Sequence, residues 1–136
     1  NVSLDTQEPL LLGRFDFSHT LRVLVNLMEN ALKYSPANTA IDVSARRGGE
    51  HGAYLEITVA DRGAGVAEVD RDRIFELFYR PEGTPPDTGS AGLGLSIARR
   101  LSEAQGGTVY YEPREGGGSR FVMRLPGVSM HELNAP

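Results

Sequence analysis

"NLMENALKY", residues 26–34, is the stretch on which the reading of this chain turns, because apolar residues recur there at helical spacing while two asparagines stand four apart in the middle. Asparagine is a poor helix former, since its amide competes for nearby backbone groups. Asn26 and Asn30 therefore need compensation from whatever their side chains touch. Wound at about 100° per residue, Leu21, Leu24, Val25, Met28, Ala31 and Leu32 fall on one broad side and are expected to face a core. Asn26, Glu29, Asn30 and Lys33 fall in a narrow arc opposite. A merely solvated stripe favours Glu and Lys over asparagine. Mg²⁺ held with a triphosphate explains the choice better. That ion takes oxygen ligands, usually only one or two from protein, and a neutral amide oxygen coordinates it without adding charge beside phosphates. Lys33, about one turn beyond Asn30, suits a terminal phosphate as a point charge. Tyr34 is placed either to lie against a base or ribose or to fill the core at the helix end.

Outward from this helix the chain alternates strands and helices. The apolar run "EPLLLGRF" (8–15) precedes Asp16 and Ser18, candidate N-caps for a helix that runs to about Lys33. Period-two alternation in "AIDVSARR" (40–47) and "AYLEITVA" (53–60) reads as two strands, with Ile41, Val43 and Ala45 on one side and Leu55, Ile57 and Val59 on the other strand's matching side. "DRDRIFELFYR" (70–80) is expected as a short helix, and the Pro- and Gly-rich 81–90 as a mobile loop. "GLGLSIARRLSEAQGG" (92–107) reads as a second long helix with Leu95, Ala98, Leu101 and Ala104 along one face. "TVYYEP", "REGGGS" and "RFVMRLP" (108–126) read as a hairpin, followed by a tail. The domain is expected to span 1–126, with 127–136 as the C-terminal tail.

Composition narrows the field. At 136 residues the chain is the size of one domain. A formal charge of −4, with 14 scattered Lys and Arg, argues against a nucleic-acid groove or an anionic membrane surface. No cysteine is present, so thiolate metal sites and disulfides are excluded, which suits the cytosol. No apolar run approaches the ~20 residues of a membrane span. A first residue other than methionine is expected of a piece of a longer protein.

Two glycine-rich turns supply what a nucleotide site still needs. In "DRGAGV" Asp61 ends an apolar strand, with Gly63 and Gly65 just beyond it, where a ligand approaches the backbone closely. A carboxylate only accepts hydrogen bonds and so favours adenine's exocyclic amine over guanine's carbonyl. A turn aspartate bonding its own backbone is the simpler alternative. "GSAGLGL" (89–95) places Gly89, Gly92 and Gly94 at a helix N-terminus, where free N–H groups and the helix dipole favour phosphate. Its order is the reverse of the dinucleotide fingerprint and no GK[ST] follows, so neither Rossmann nor P-loop machinery is indicated.

Taken in order, "NLMENALKYS", "DRGAGV", "IFELFYR" and "GLGLSIARRL" resemble the N, G1, F and G2 boxes of the catalytic ATP-binding domain of bacterial sensor histidine kinases, over roughly 4–126. The resemblance implies the Bergerat fold, an α/β two-layer sandwich in which a mixed, mostly antiparallel sheet carries helices on one face. It implies ATP and Mg²⁺ as ligands, with Asn26 and Asn30 beside the metal and Glu29 activating the acceptor histidine. Lys33 and Tyr34 match phosphate and adenine contacts. Asp61 matches the adenine-reading carboxylate, with Gly63 and Gly65 lining the base pocket. Phe75 and Phe78 match the F box, with plain core as the simpler role for both. Gly89, Gly92, Leu93, Gly94 and Leu95 match the phosphate-side box, the loop 80–90 the lid, and Arg80 a possible γ-phosphate contact or simply a surface arginine.

The resemblance further implies transfer of the γ-phosphoryl to a histidine on a separate dimerisation domain, a response regulator as partner of the full-length kinase, no direct membrane contact, and a cytosolic domain of a membrane-anchored sensor. "HELNAP" (131–136) has the look of a phosphoacceptor box, but it follows the catalytic boxes, and chance accounts for a motif this short. "EPLLL", "LMENALKYSP" and "EGGGSRFVMRLP" are also similar to the potassium-responsive KdpD kinases. Three rivals stand beside this reading: ATP hydrolysis, as in gyrase and heat-shock chaperone relatives; a protein-serine kinase of the same superfamily; and a non-catalytic nucleotide sensor. The hydrolases carry a general-base glutamate at the place held here by Asn26, whose amide cannot take a proton from water.

Overall fold

Helix α1, Phe17–Tyr34, begins where the sequence signals it should. Asp16 is extended and its carboxylate accepts the His19 N–H at 2.9 Å, a cap worth about 1 kcal/mol. The helix ends at Ser35, with Lys33 in its last turn complementing the dipole and Pro36 following. The computed structural model describes residues 2–6, 16–49, 53–79 and 94–127.

Among the described residues five strands form one sheet in the order β1-β2-β3-β5-β4. The elements are β1 (Val2–Thr6), β2 (Ile41–Gly48), β3 (Tyr54–Ala60), β4 (Thr108–Pro113) and β5 (Ser119–Pro126). Only β1 and β2 run parallel, joined by the α1 crossover that such a pair requires; the remaining pairs are antiparallel. The mixed, mostly antiparallel sheet expected of the fold is therefore present. The strand β1 itself was not legible, and the apolar run 8–15 read ahead of α1 lies outside the described residues.

Alternation sorts the sheet into two faces. Registers Val43↔Val59, Ile57↔Met123 and Val59↔Phe121 stack apolar side chains on the inner face, where Val23, Leu27 and Ala31 of α1 and Ala98 of α2 (Gly94–Glu103) cover them. On the outer face Glu56 sits between Arg46 and Arg124, at 3.0 and 2.8 Å. Burial pushes Glu56 up, but hydrogen bonds and charge from Arg124 and Arg46 outweigh it and hold the carboxyl below its ordinary range.

Three expectations are corrected. The buried row of α1 is Thr20, Val23, Leu27 and Ala31, with Leu24 and Met28 leaning against the core. Leu21, Val25 and Leu32, expected inward, are 50%, 42% and 61% exposed. The apolar arc of this helix is wider than the strip that the sheet and α2 can cover, so its margin stays outside. Of the stretch 70–80, the described residues 70–79 do not form the expected helix. A single 3₁₀ turn, Glu68–Asp70, leads into further turns in which the adjacent Ile74 and Phe75 are both buried. Phe78 has φ +63, which ends any helical run, and the Tyr79 hydroxyl donates back to the Asp70 carboxylate. In α2 the buried residues are Ala98 and Ser102, and Ala104 is exposed. Among the described residues no helix is long and apolar enough to cross a membrane.

Candidate functional site

The loop leaving β3 forms the floor of the site. Asp61 is 2% exposed; its N–H donates to the Ser119 carbonyl at 2.9 Å and its Oδ1 accepts the Gly63 N–H at 2.7 Å. Burial raises the Asp61 pKa, opposed by hydrogen bonds from the Gly63 and Ser119 backbone and by the charge of Arg114. The carboxylate thus does make the local turn bond that was the simpler alternative, and it is buried as well.

Gly63 joins this loop to the asparagine helix. A Cβ there would stand 2.5 Å from the carbonyl oxygen of Tyr34 and 3.0 Å from Asp61 Oδ1, so only glycine lets the loop lie against the last turn of α1. Asn26 joins the same helix to α2, its Nδ2 donating to the Gly94 carbonyl at 3.4 Å. With the nitrogen so engaged, the amide oxygen is left to accept or coordinate. Asn30 and Lys33 are half-buried and Glu29 is exposed. The Lys33 ammonium lies 5.7 Å from the Tyr34 ring centroid, and the ring belongs to a residue 38% exposed, which sets aside the core role for Tyr34.

The segments carrying Asn26–Tyr34, Asp61–Gly65 and Gly94 therefore meet at one end of the sheet. The F-box residues divide. Phe75 is buried, edge-on to Phe121 at 6.2 Å and 4.1 Å below the Arg99 guanidinium. Phe78 is 63% exposed and is not core, contrary to its simpler expectation. Leu95 packs partly against the core. Arg80, Gly89, Gly92, Leu93 and the expected lid lie outside the described residues, as does "HELNAP".

A second layer under the loop was missed from sequence. Arg62 donates to the carbonyls of Glu115 and Gly117 at the β4–β5 turn, at 3.0 and 3.1 Å. Gly118 lies so close that a Cβ would stand 2.0 Å from the Asp61 carbonyl oxygen. The Tyr111 hydroxyl accepts the Val66 N–H at 3.1 Å. Strand alternation, which puts Tyr111 on the same face as Val109, is the one local signal that pointed to it.

Comparison with known proteins shows the family and the fold. Residues 16–129 match the family described as histidine kinase-, DNA gyrase B-, and HSP90-like ATPase. The chain is 40% identical over 104 residues to the sensor-like histidine kinase SenX3 of Mycobacterium tuberculosis (76% of this chain, 25% of that protein). It is 36% identical over 132 residues to the sensor protein KdpD of Escherichia coli (97% of this chain, 14% of that protein). Full-length ShkA, solved in complex with AMPPNP, superposes with a TM-score of 0.77 at 33% identity, covering 94% of this chain and 26% of that one. The chain thus spans about a quarter or less of the length of these relatives.

Proposed function

Because the chain belongs to the histidine kinase-, DNA gyrase B-, and HSP90-like ATPase family, we propose that it binds Mg·ATP and, within a longer protein, presents the γ-phosphoryl to a histidine on a dimerisation domain outside these residues. The observation that carries this reading is the convergence of the Asn26–Tyr34 turns, the buried Asp61 and the start of the described α2 at one end of the sheet.

The residues present fit the ligand. Asp61 accepts the adenine amine, and Gly63, with no Cβ to strike the Tyr34 carbonyl, lets the loop that carries it lie against the last turn of α1. Asn30, with Asn26, would hold Mg²⁺ through amide oxygens, and the ion supplies charge neutralisation on the phosphates. Lys33 adds a point charge toward the terminal phosphate, and Glu29, exposed beside it, faces the incoming acceptor. Such a transfer asks for position and charge rather than covalent chemistry from the protein.

An amide at position 26 cannot deprotonate water, which favours transfer over hydrolysis. In this reading the domain is 1–126 with a short tail, it works on the cytoplasmic side of a membrane-anchored sensor, and a response regulator takes the phosphoryl onward. The test is calorimetric titration with a non-hydrolysable ATP analogue, with and without Mg²⁺, on the native chain and Asn30→Ala. Affinity is expected to rise with Mg²⁺ in the native chain and to lose most of that rise in the variant. Native binding that ignores Mg²⁺ would overturn the metal assignment, and no native binding would overturn the nucleotide reading.

A further inference from the structure

We propose that Tyr111 and Arg71 are positioning residues for the nucleotide base: neither touches the ligand, and together they hold the Gly63–Val66 loop in its binding conformation. The assignment rests on the Mg·ATP reading above.

Four contacts carry it. Val66 leaves the sheet with no strand neighbour, yet both its backbone polar groups are engaged by side chains, the N–H by the Tyr111 hydroxyl at 3.1 Å and the carbonyl by Arg71 Nε at 3.2 Å. The Arg71 guanidinium lies over the Tyr111 ring, 5.6 Å from its centroid. The ring is anchored edge-on against the buried Phe121, at 5.4 Å and 62°. A Cβ on Gly65 would stand 3.5 Å from the Tyr111 hydroxyl oxygen, so that hydroxyl lies directly behind the glycine that lines the base pocket.

A loop with glycines at 63 and 65 has many conformations to lose, and ordering it upon binding is charged against affinity. Clamping Val66 at both backbone groups orders the loop beforehand. The clamp acts on the base end of the ligand only, since Asn30 and Lys33 sit on α1.

Tyr111→Phe keeps the ring and removes only the acceptor; Arg71→Lys keeps the charge and removes the Nε donor. Three readouts on the 136-residue chain separate positioning from general support: amide exchange at Val66, affinity for ATP, and affinity for inorganic triphosphate. In Tyr111→Phe the Val66 amide is expected to exchange faster while Phe121 and Met123 stay protected. ATP affinity should fall about threefold to tenfold, the range for one lost hydrogen bond, with affinity for inorganic triphosphate, which has no base, nearly unchanged. Arg71→Lys should lower ATP affinity in the same selective way. Unchanged Val66 exchange, or ATP and inorganic triphosphate weakened equally, would overturn the proposal. A native chain that binds ATP beside a Tyr111→Phe variant that binds it equally well would overturn this assignment alone. A native chain that does not bind ATP would overturn the Mg·ATP reading and this assignment with it.

Discussion

Gly117 and Gly118 adjoin in the β4–β5 turn with nearly the same φ, +109 and +114, but only a side chain at Gly118 would meet the backbone that follows β3. A Cβ at Gly117 meets nothing within 4 Å, whereas one at Gly118 would stand 2.0 Å from the Asp61 carbonyl oxygen, 2.9 Å from its carbon and 3.0 Å from Arg62 Cα. Alanine at either place accepts a strained conformation costing roughly 1–3 kcal/mol. That cost cancels in the comparison, leaving the collision. The obstruction is backbone on both sides, so relief requires β5 and the end of β3 to part. Overpacking of this kind costs about 1–3 kcal/mol, and parting endangers the Asp61 N–H to Ser119 bond of 2.9 Å, worth about 1 kcal/mol more. Gly118→Ala should therefore fall about 2–4 kcal/mol below Gly117→Ala, a large share of the ~5–15 kcal/mol that holds a typical domain. Urea unfolding followed by circular dichroism measures it. With m of about 1–3 kcal/mol/M, the two midpoints should lie on the order of 1–2 M apart. Midpoints that coincide would show that the hairpin tip does not bear on Asp61, and the layer described beneath the loop would lose its support.

Three further outcomes follow from the two buried acids Asp61 and Glu56. Asp61→Asn should weaken ATP by about tenfold or more, the worth of a charged hydrogen bond, and erode the preference over GTP; undiminished ATP affinity would remove Asp61 from the adenine pocket. Because burial raises its pKa, the fold favours protonated Asp61: its contribution to stability is present below the ordinary aspartate range and is lost as pH rises through the raised pKa. The unliganded Asp61→Asn chain should hold or gain stability at neutral pH, as thermal unfolding will show. Glu56 has the opposite sign. Its pKa is lowered by Arg124 and Arg46, so its stabilisation is present above the ordinary glutamate range and lost as pH falls through the lowered pKa. Glu56→Gln should cost about 1.5–3 kcal/mol at neutral pH, and the gap to the native chain should close in acid; a gap that does not vary with pH would mean that shape rather than charge makes Glu56 matter.

The sequence by itself determined β2, β3, the β4–β5 hairpin and the extent of α1, because period two, period 3.6, the Asp16 cap and the glycine turns are written into neighbouring residues. It also determined the chemistry on offer at Asn26, Asn30, Lys33 and Asp61, since a paired amide and a strand-end carboxylate are unusual wherever they fall. Tertiary structure alone decided which side of α1 is buried. Leu21, Val25 and Leu32 are as apolar as Val23 and Leu27, and only the width of the surface that the sheet and α2 provide excludes them. It decided likewise that Phe75 turns inward and Phe78 outward, through a positive φ at Phe78 that no local preference announces. The same holds for Tyr111 and Gly118: their partners, Val66 and Asp61, lie 45 and 57 residues away along the chain, and contacts at that distance exist only once the strands have paired.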